Sequence, residues 1–102
     1  MGSKCIDDYE LVPGYHEWHL VDKSNPDVVL YNIVDPLENL YHETGEPLTH
    51  DEVVSFVAGD ISCAEWKWSE GDDYNGVEDP GDLLPPFAAE VIADGLYRYY
   101  LA

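Results

Sequence analysis

The sequence predicts an α+β fold: one small domain in which a mostly antiparallel sheet of three to four strands packs with two or three helices. Two strand-length runs rich in aromatic and β-branched residues, 15–21 and 28–34, flank a short turn segment. A capping box, Thr49-His50-Asp51-Glu52, opens an apolar helical pattern between them and the C-terminal part. The chain has 102 residues, 45% hydrophobic and 13% aromatic, enough to bury one core. It carries no repeat and no linker, so the domain is expected to span residues 1–102.

Taken in order, residues 5–12 fit either a short edge strand or a first helical turn. Pro13-Gly14 marks the start of the next strand, and Asn25-Pro26-Asp27 supplies turn chemistry before the following one, so residues 15–34 are expected to form an antiparallel hairpin. Asp35-Pro36 offers an N-cap and a first-turn proline, with Leu37, Leu40 and Tyr41 at helical spacing, predicting a short helix that ends before Gly45 and Pro47. Thr49 then caps a helix over 50–58, with Leu48 and Val53 placed as a hydrophobic staple and Gly59 as its stop. Residues 61–68 alternate like a strand that would set Ala64, Trp66 and Trp68 on one face, with both tryptophans in or beside the core. Residues 70–82 hold three glycines, a proline and no hydrophobic period, and so predict a long loop. After Pro85-Pro86, the residues Phe87, Val91, Leu96 and Tyr99 fit one helix face, although 96–101 also fit a terminal strand.

Charge is the dominant compositional fact. Twenty-two Asp and Glu face four Lys and Arg, a formal net charge of −18. Lys4, Lys23, Lys67 and Arg98 are scattered, so no cationic cluster exists to neutralise phosphates, and neither nucleic acid nor an anionic membrane is expected as a direct partner. The start of the chain lacks a long apolar stretch and no segment approaches the length of a membrane span, so a cytoplasmic protein is expected. Two cysteines, Cys5 and Cys63, then read as free thiols.

The familiar chemistries find no support in the residue pattern. His16 and His19 are three apart in a predicted strand, where such positions face opposite sides, so they do not read as metal ligands. His42 and His50 sit beside acids near helix ends and read as solvated side chains, and no strained elbow or oxyanion loop surrounds Cys63. Asp72, Asp73, Asn75, Glu78 and Asp79 are oxygen donors, but their spacing departs from the EF-hand pattern, leaving at most weak divalent binding. No catalytic residue, cofactor or structural metal is therefore expected.

The acids themselves remain. Between 65 and 82 stand seven carboxylates, Glu65, Glu70, Asp72, Asp73, Glu78, Asp79 and Asp82, against the single Lys67, with Tyr74 in their midst. Like charges this dense lie within a Debye length of about 8 Å of one another and oppose folding, so a field of this size points to use in binding. In length, acidity and absence of catalytic motifs the chain is similar to the small acidic inhibitors, DNA mimics among them, that phages and mobile elements deploy against CRISPR effectors and restriction enzymes. That compositional likeness implies a non-enzymatic inhibitor whose partner is a basic protein that normally binds nucleic acid. Glu65, Glu70, Asp72, Asp73, Tyr74, Glu78, Asp79 and Asp82 would be its contact residues, with Tyr74 as an aromatic anchor. An immunity protein against a basic nuclease toxin, which would gather its acids around aromatic hot spots, requires the same electrostatics; an acidic interaction domain unrelated to defence is the third expectation.

Overall fold

The computed structural model describes residues 5–102. Three strands, β1 (Tyr9–Pro13), β2 (Glu17–Asp22) and β3 (Asn25–Val34), form an antiparallel sheet in the order β1-β2-β3. Two helices, α1 (His50–Ser69) and α2 (Ala88–Leu96), complete the small α+β fold. Both readings of the first segment hold in succession, since a 3-10 turn at Ile6–Asp8 leads directly into β1.

The hairpin is as expected, but its turn is shorter. Asp22 pairs with Asn25, leaving Lys23 and Ser24 as the loop, and the Asp22 carboxylate accepts from the Ser24 amide and hydroxyl at 2.9 and 2.7 Å. Pro26 and Asp27 join β3, because β3 is an edge strand where a residue without an N–H costs no ladder bond.

The short helix expected after Asp35 is a single 3-10 turn, Pro36–Asn39. Asp35 adopts a left-handed backbone, φ 43°, in which its side chain makes no capping bond. Gly45, φ 90°, serves a tight turn between the bridged residues Tyr41 and Pro47 instead of a helix end.

The largest correction concerns α1. Its capping box is present, with Thr49 Oγ1 accepting from the Glu52 amide at 3.3 Å and the Glu52 carboxylate accepting from the Thr49 amide at 3.0 Å. The helix then runs through Gly59 for 20 residues and absorbs the strand expected over 61–68. Val53, Val57, Ile61, Ala64 and Trp68 are its buried stripe, a helical period that continues unbroken past the glycine. A mid-helix glycine costs about 1 kcal/mol relative to alanine, less than burying this stripe returns. Helical spacing also separates the tryptophans: Trp68 is buried, and Trp66 is 56% exposed. The helix stops at Gly71, φ 89°, whose amide donates to the Trp68 carbonyl while that of Asp72 reaches Lys67, a Schellman closure.

α2 ends in a π-helical turn, Tyr97–Leu101, in place of a terminal strand. Gly95 lets α2 approach β1 closely, since a Cβ there would lie 2.9 Å from Leu11 Cδ2. The core is one cluster: Leu20 and Tyr31 face each other across β2 and β3, and the buried residues of α1 and α2 cover them together with Leu40.

Candidate protein-interaction surface

Segment 70–82 is held to the body by its uncharged residues. Tyr74-Asn75-Gly76-Val77 closes a two-residue turn in which the Tyr74 and Val77 backbones exchange hydrogen bonds of 3.2 and 2.9 Å, and Asn75 and Gly76 take φ of 52° and 78°. An Asn-Gly pair is the preferred occupant of such a turn because both residues tolerate the left-handed region. The Trp68 indole donates to the Val77 carbonyl at 2.9 Å, pinning the turn to α1. On the other side Asn75 Nδ2 donates to the Asn32 carbonyl of edge strand β3, and Asn32 Nδ2 donates back to the Asn75 carbonyl, both at 3.0 Å.

Tyr74 takes part in the same clasp. Its hydroxyl donates to Asp60 Oδ1 at 3.2 Å, its ring stacks on that of Tyr31 with centroids 6.5 Å apart, and the Tyr31 hydroxyl donates to the other Asp60 oxygen. Burial, then the Asp60 charge, pushes the Tyr74 phenol up to about 12, and burial raises Tyr31 further, so both remain neutral donors at ordinary pH. Tyr74 is thus a half-buried strut rather than a ring offered to solvent.

Asn32 is the buried polar residue at the foot of this clasp, and its Oδ1 has no hydrogen-bond partner among the described residues. Its amide also donates to Glu17 Oε2 at 2.9 Å, and His19 Nε2 lies 2.8 Å from Glu17 Oε1. These two hydrogen bonds, that of Asn32 the stronger influence, hold the Glu17 carboxyl below its ordinary value.

The seven carboxylates face outward. Glu65, Glu70, Asp72, Asp73, Glu78, Asp79 and Asp82 are all exposed. Glu65 and Asp79 both line one cleft of about 380 Å³ between α1 and the segment after the loop, as do Trp68 and Leu84. Asp82 shares a different hollow, of about 240 Å³, with Asp22 and Tyr9. Asp79 also braces its own turn by accepting from the Gly81 amide at 2.9 Å.

Sequence reading missed Trp66. With the strand replaced by helix, the indole stands largely in solvent, with Lys67 Nζ 5.1 Å from its ring centroid. It also missed the Asn75-Gly76 turn, whose dipeptide is itself a strong hairpin signal.

Other sequence expectations find these places. His16 lies 3.8 Å from Asp35 outside the strand, and His19 is committed to Glu17. Cys5 and Cys63 are exposed and unbridged. Among the described residues no three His, Cys, Asp or Glu side chains gather as metal ligands, and no helix is long and apolar enough to cross a membrane. Lys4 lies outside the described residues. No family model, curated protein or solved structure matches the chain.

Proposed function

We propose that the protein acts by stoichiometric binding to a basic protein that handles nucleic acid, blocking the surface that would otherwise hold phosphates. A phage or mobile-element inhibitor of a CRISPR effector or restriction enzyme is the biological setting that fits best. One observation carries the reading: the carboxylates from Glu65 to Asp82 are exposed while the uncharged residues between them tie the segment to the core. Charge held in place before contact loses little entropy on binding and steers a positive surface from a distance. Trp66, with its exposed indole, is a better candidate for the aromatic contact than the half-buried Tyr74. An exposed ring in an acid-rich stretch of sequence also suits the second reading, an immunity protein that neutralises a basic nuclease toxin.

The test begins with capture from a host lysate on the immobilised protein and elution by rising salt. Captured proteins are expected to be basic nucleic-acid binders displaced by excess duplex DNA or RNA. Changing Asp72, Asp73, Glu78 and Asp79 together to Lys is expected to slow association with the captured protein by about 10–10³-fold at low salt. A folded quadruple variant that associates at an unchanged rate would overturn the proposal.

A further inference from the structure

We propose that a groove beside Trp18 binds the guanidinium group of an arginine side chain presented by a partner protein. The groove, about 480 Å³, is lined by Glu17, Trp18, Asp35, Leu37, Glu38 and Tyr100, together with His16. It is distinct from the acidic segment and none of the residues from Glu65 to Asp82 lines it.

Its walls are aromatic. The Trp18 indole donates to the Tyr100 hydroxyl at 3.0 Å, which fixes both rings, and Tyr99 packs edge-on against each with centroids 4.8 Å away. Tyr99 is nevertheless 68% exposed, an unusual amount of ring to leave in water once two aromatic neighbours are available. Trp18 and Tyr100 both line the groove, so the exposed Tyr99 ring adjoins it.

The rim is anionic. Glu17, Asp35 and Glu38 supply three carboxylates, and no Lys or Arg among the described residues lines the groove. Nor do two of the chain's cations stand ready to fill it: Lys67 lies over Trp66, and Arg98 Nε pairs with Asp94 at 3.1 Å. Glu17 already accepts from Asn32 and meets His19, and Asp35 lies 3.8 Å from His16, so the carboxylates open to a guanidinium are those of Asp35 and Glu38. Ring surface combined with carboxylates selects arginine over lysine, because a planar guanidinium stacks on a ring while its N–H fork engages carboxylate oxygens, whereas an ammonium is a strongly hydrated point charge.

The backbone is set for this geometry. His16 and Asp35 both hold left-handed conformations, φ 58° and 43°, and the Asp35 amide donates to the His16 carbonyl at 2.9 Å. Together they place an imidazole and a carboxylate at the groove's rim at a backbone cost of roughly 1 kcal/mol or more per residue.

The experiment titrates acetyl-Gly-Arg-Gly-amide, its lysine counterpart and its neutral citrulline counterpart into the isotopically labelled full chain. The three indole N–H signals act as internal reporters: Trp18 for the groove, Trp66 for the acidic helix face, Trp68 for the interior. The arginine peptide is expected to shift the Trp18 signal saturably, with a Kd on the order of 1 mM. The lysine peptide is expected to bind several-fold more weakly, and the citrulline peptide not measurably. Changing Asp35 to Asn and Glu38 to Gln together should weaken arginine binding about tenfold, and asparagine tolerates the left-handed backbone that position 35 requires. Tyr99→Leu should erase the preference for arginine over lysine. Equal response to arginine and lysine, an unmoved Trp18 signal with Trp66 shifting alone, or a Trp18 shift produced by protein dilution, which would mean that a second copy covers the groove, each overturns the proposal. None of these results depends on a partner for the acidic segment.

Discussion

Segment 70–82 and the groove beside Trp18 are made from the same materials, carboxylates and aromatic rings, with inside and outside exchanged. In the segment, Tyr74 and Asn75 bond to Asp60 and Asn32 while every acid faces solvent. At the groove, Asp35 and Glu38 are lining residues, and Tyr99 stays in water against the Trp18 ring. The first arrangement supplies a field that acts at a distance and decays over the Debye length; the second supplies contact surface that acts only on touching. A binder with both has separate handles on association and dissociation.

The largest effect expected of any single substitution lies beneath the acidic segment. Trp68→Ala removes a buried indole and the donor to the Val77 carbonyl, and should cost about 3–5 kcal/mol in urea denaturation. Trp66→Ala, two residues away on the exposed side of α1, should change stability by less than about 0.5 kcal/mol and slow no refolding step. Equal costs would mean that the two rings share one environment, as the strand reading of 61–68 required.

A smaller effect separates field from fit. Asn75→Ala leaves every charge in place but puts an alanine at φ 52° and deletes the bond to the Asn32 carbonyl, for about 1–3 kcal/mol. Hydrogen exchange at the Tyr74 and Val77 amides should quicken, because the turn they close loses its tie to β3. With the proposed partner, dissociation should speed several-fold while association stays within about twofold. A reversed pattern would assign the role of the clasp to steering instead.

The parts of this architecture that could be read in the sequence are those decided by neighbours in the chain. The capping box needs only Thr49 and Glu52, and the pairing of β2 with β3 needs only two apolar runs and a turn. The exposure of the seven acids likewise follows from their own solvation. Residues 61–68 were ambiguous because Ala64 and Trp68 lie on one face in either period, and only Val53, Val57 and Ile61 upstream, continuing the same stripe, decide for helix. Asp35 obeyed local capping logic in sequence and lost it to the tertiary bond between its amide and the His16 carbonyl. The pairing of Asn32 with Asn75 spans 43 positions and leaves no local trace, so neither the clasp nor the half-burial of Tyr74 was legible.

The smallest predicted effect sits where the two regions meet. Glu17 accepts from Asn32, which the clasp covers, and its side chain also lines the groove. Its carboxyl is held below the ordinary value of 4.5 by the hydrogen bond from Asn32 and then by His19. A group depressed on folding stabilises the native state fully above its unfolded value, and that contribution disappears as pH falls through the folded one. Glu17→Gln keeps an oxygen for Asn32 but cannot ionise, so it should cost about 0.5–1 kcal/mol near neutrality, modest because the side chain remains partly in water. The gap between wild type and variant should shrink as pH falls below 4.5. Acid also relieves the repulsion among 22 carboxylates, but it does so almost equally in both proteins, and subtracting urea midpoints measured at each pH removes it. A gap that persists unchanged to pH 3 would show that Glu17 contributes through packing alone and that its charge couples neither to the clasp nor to the groove.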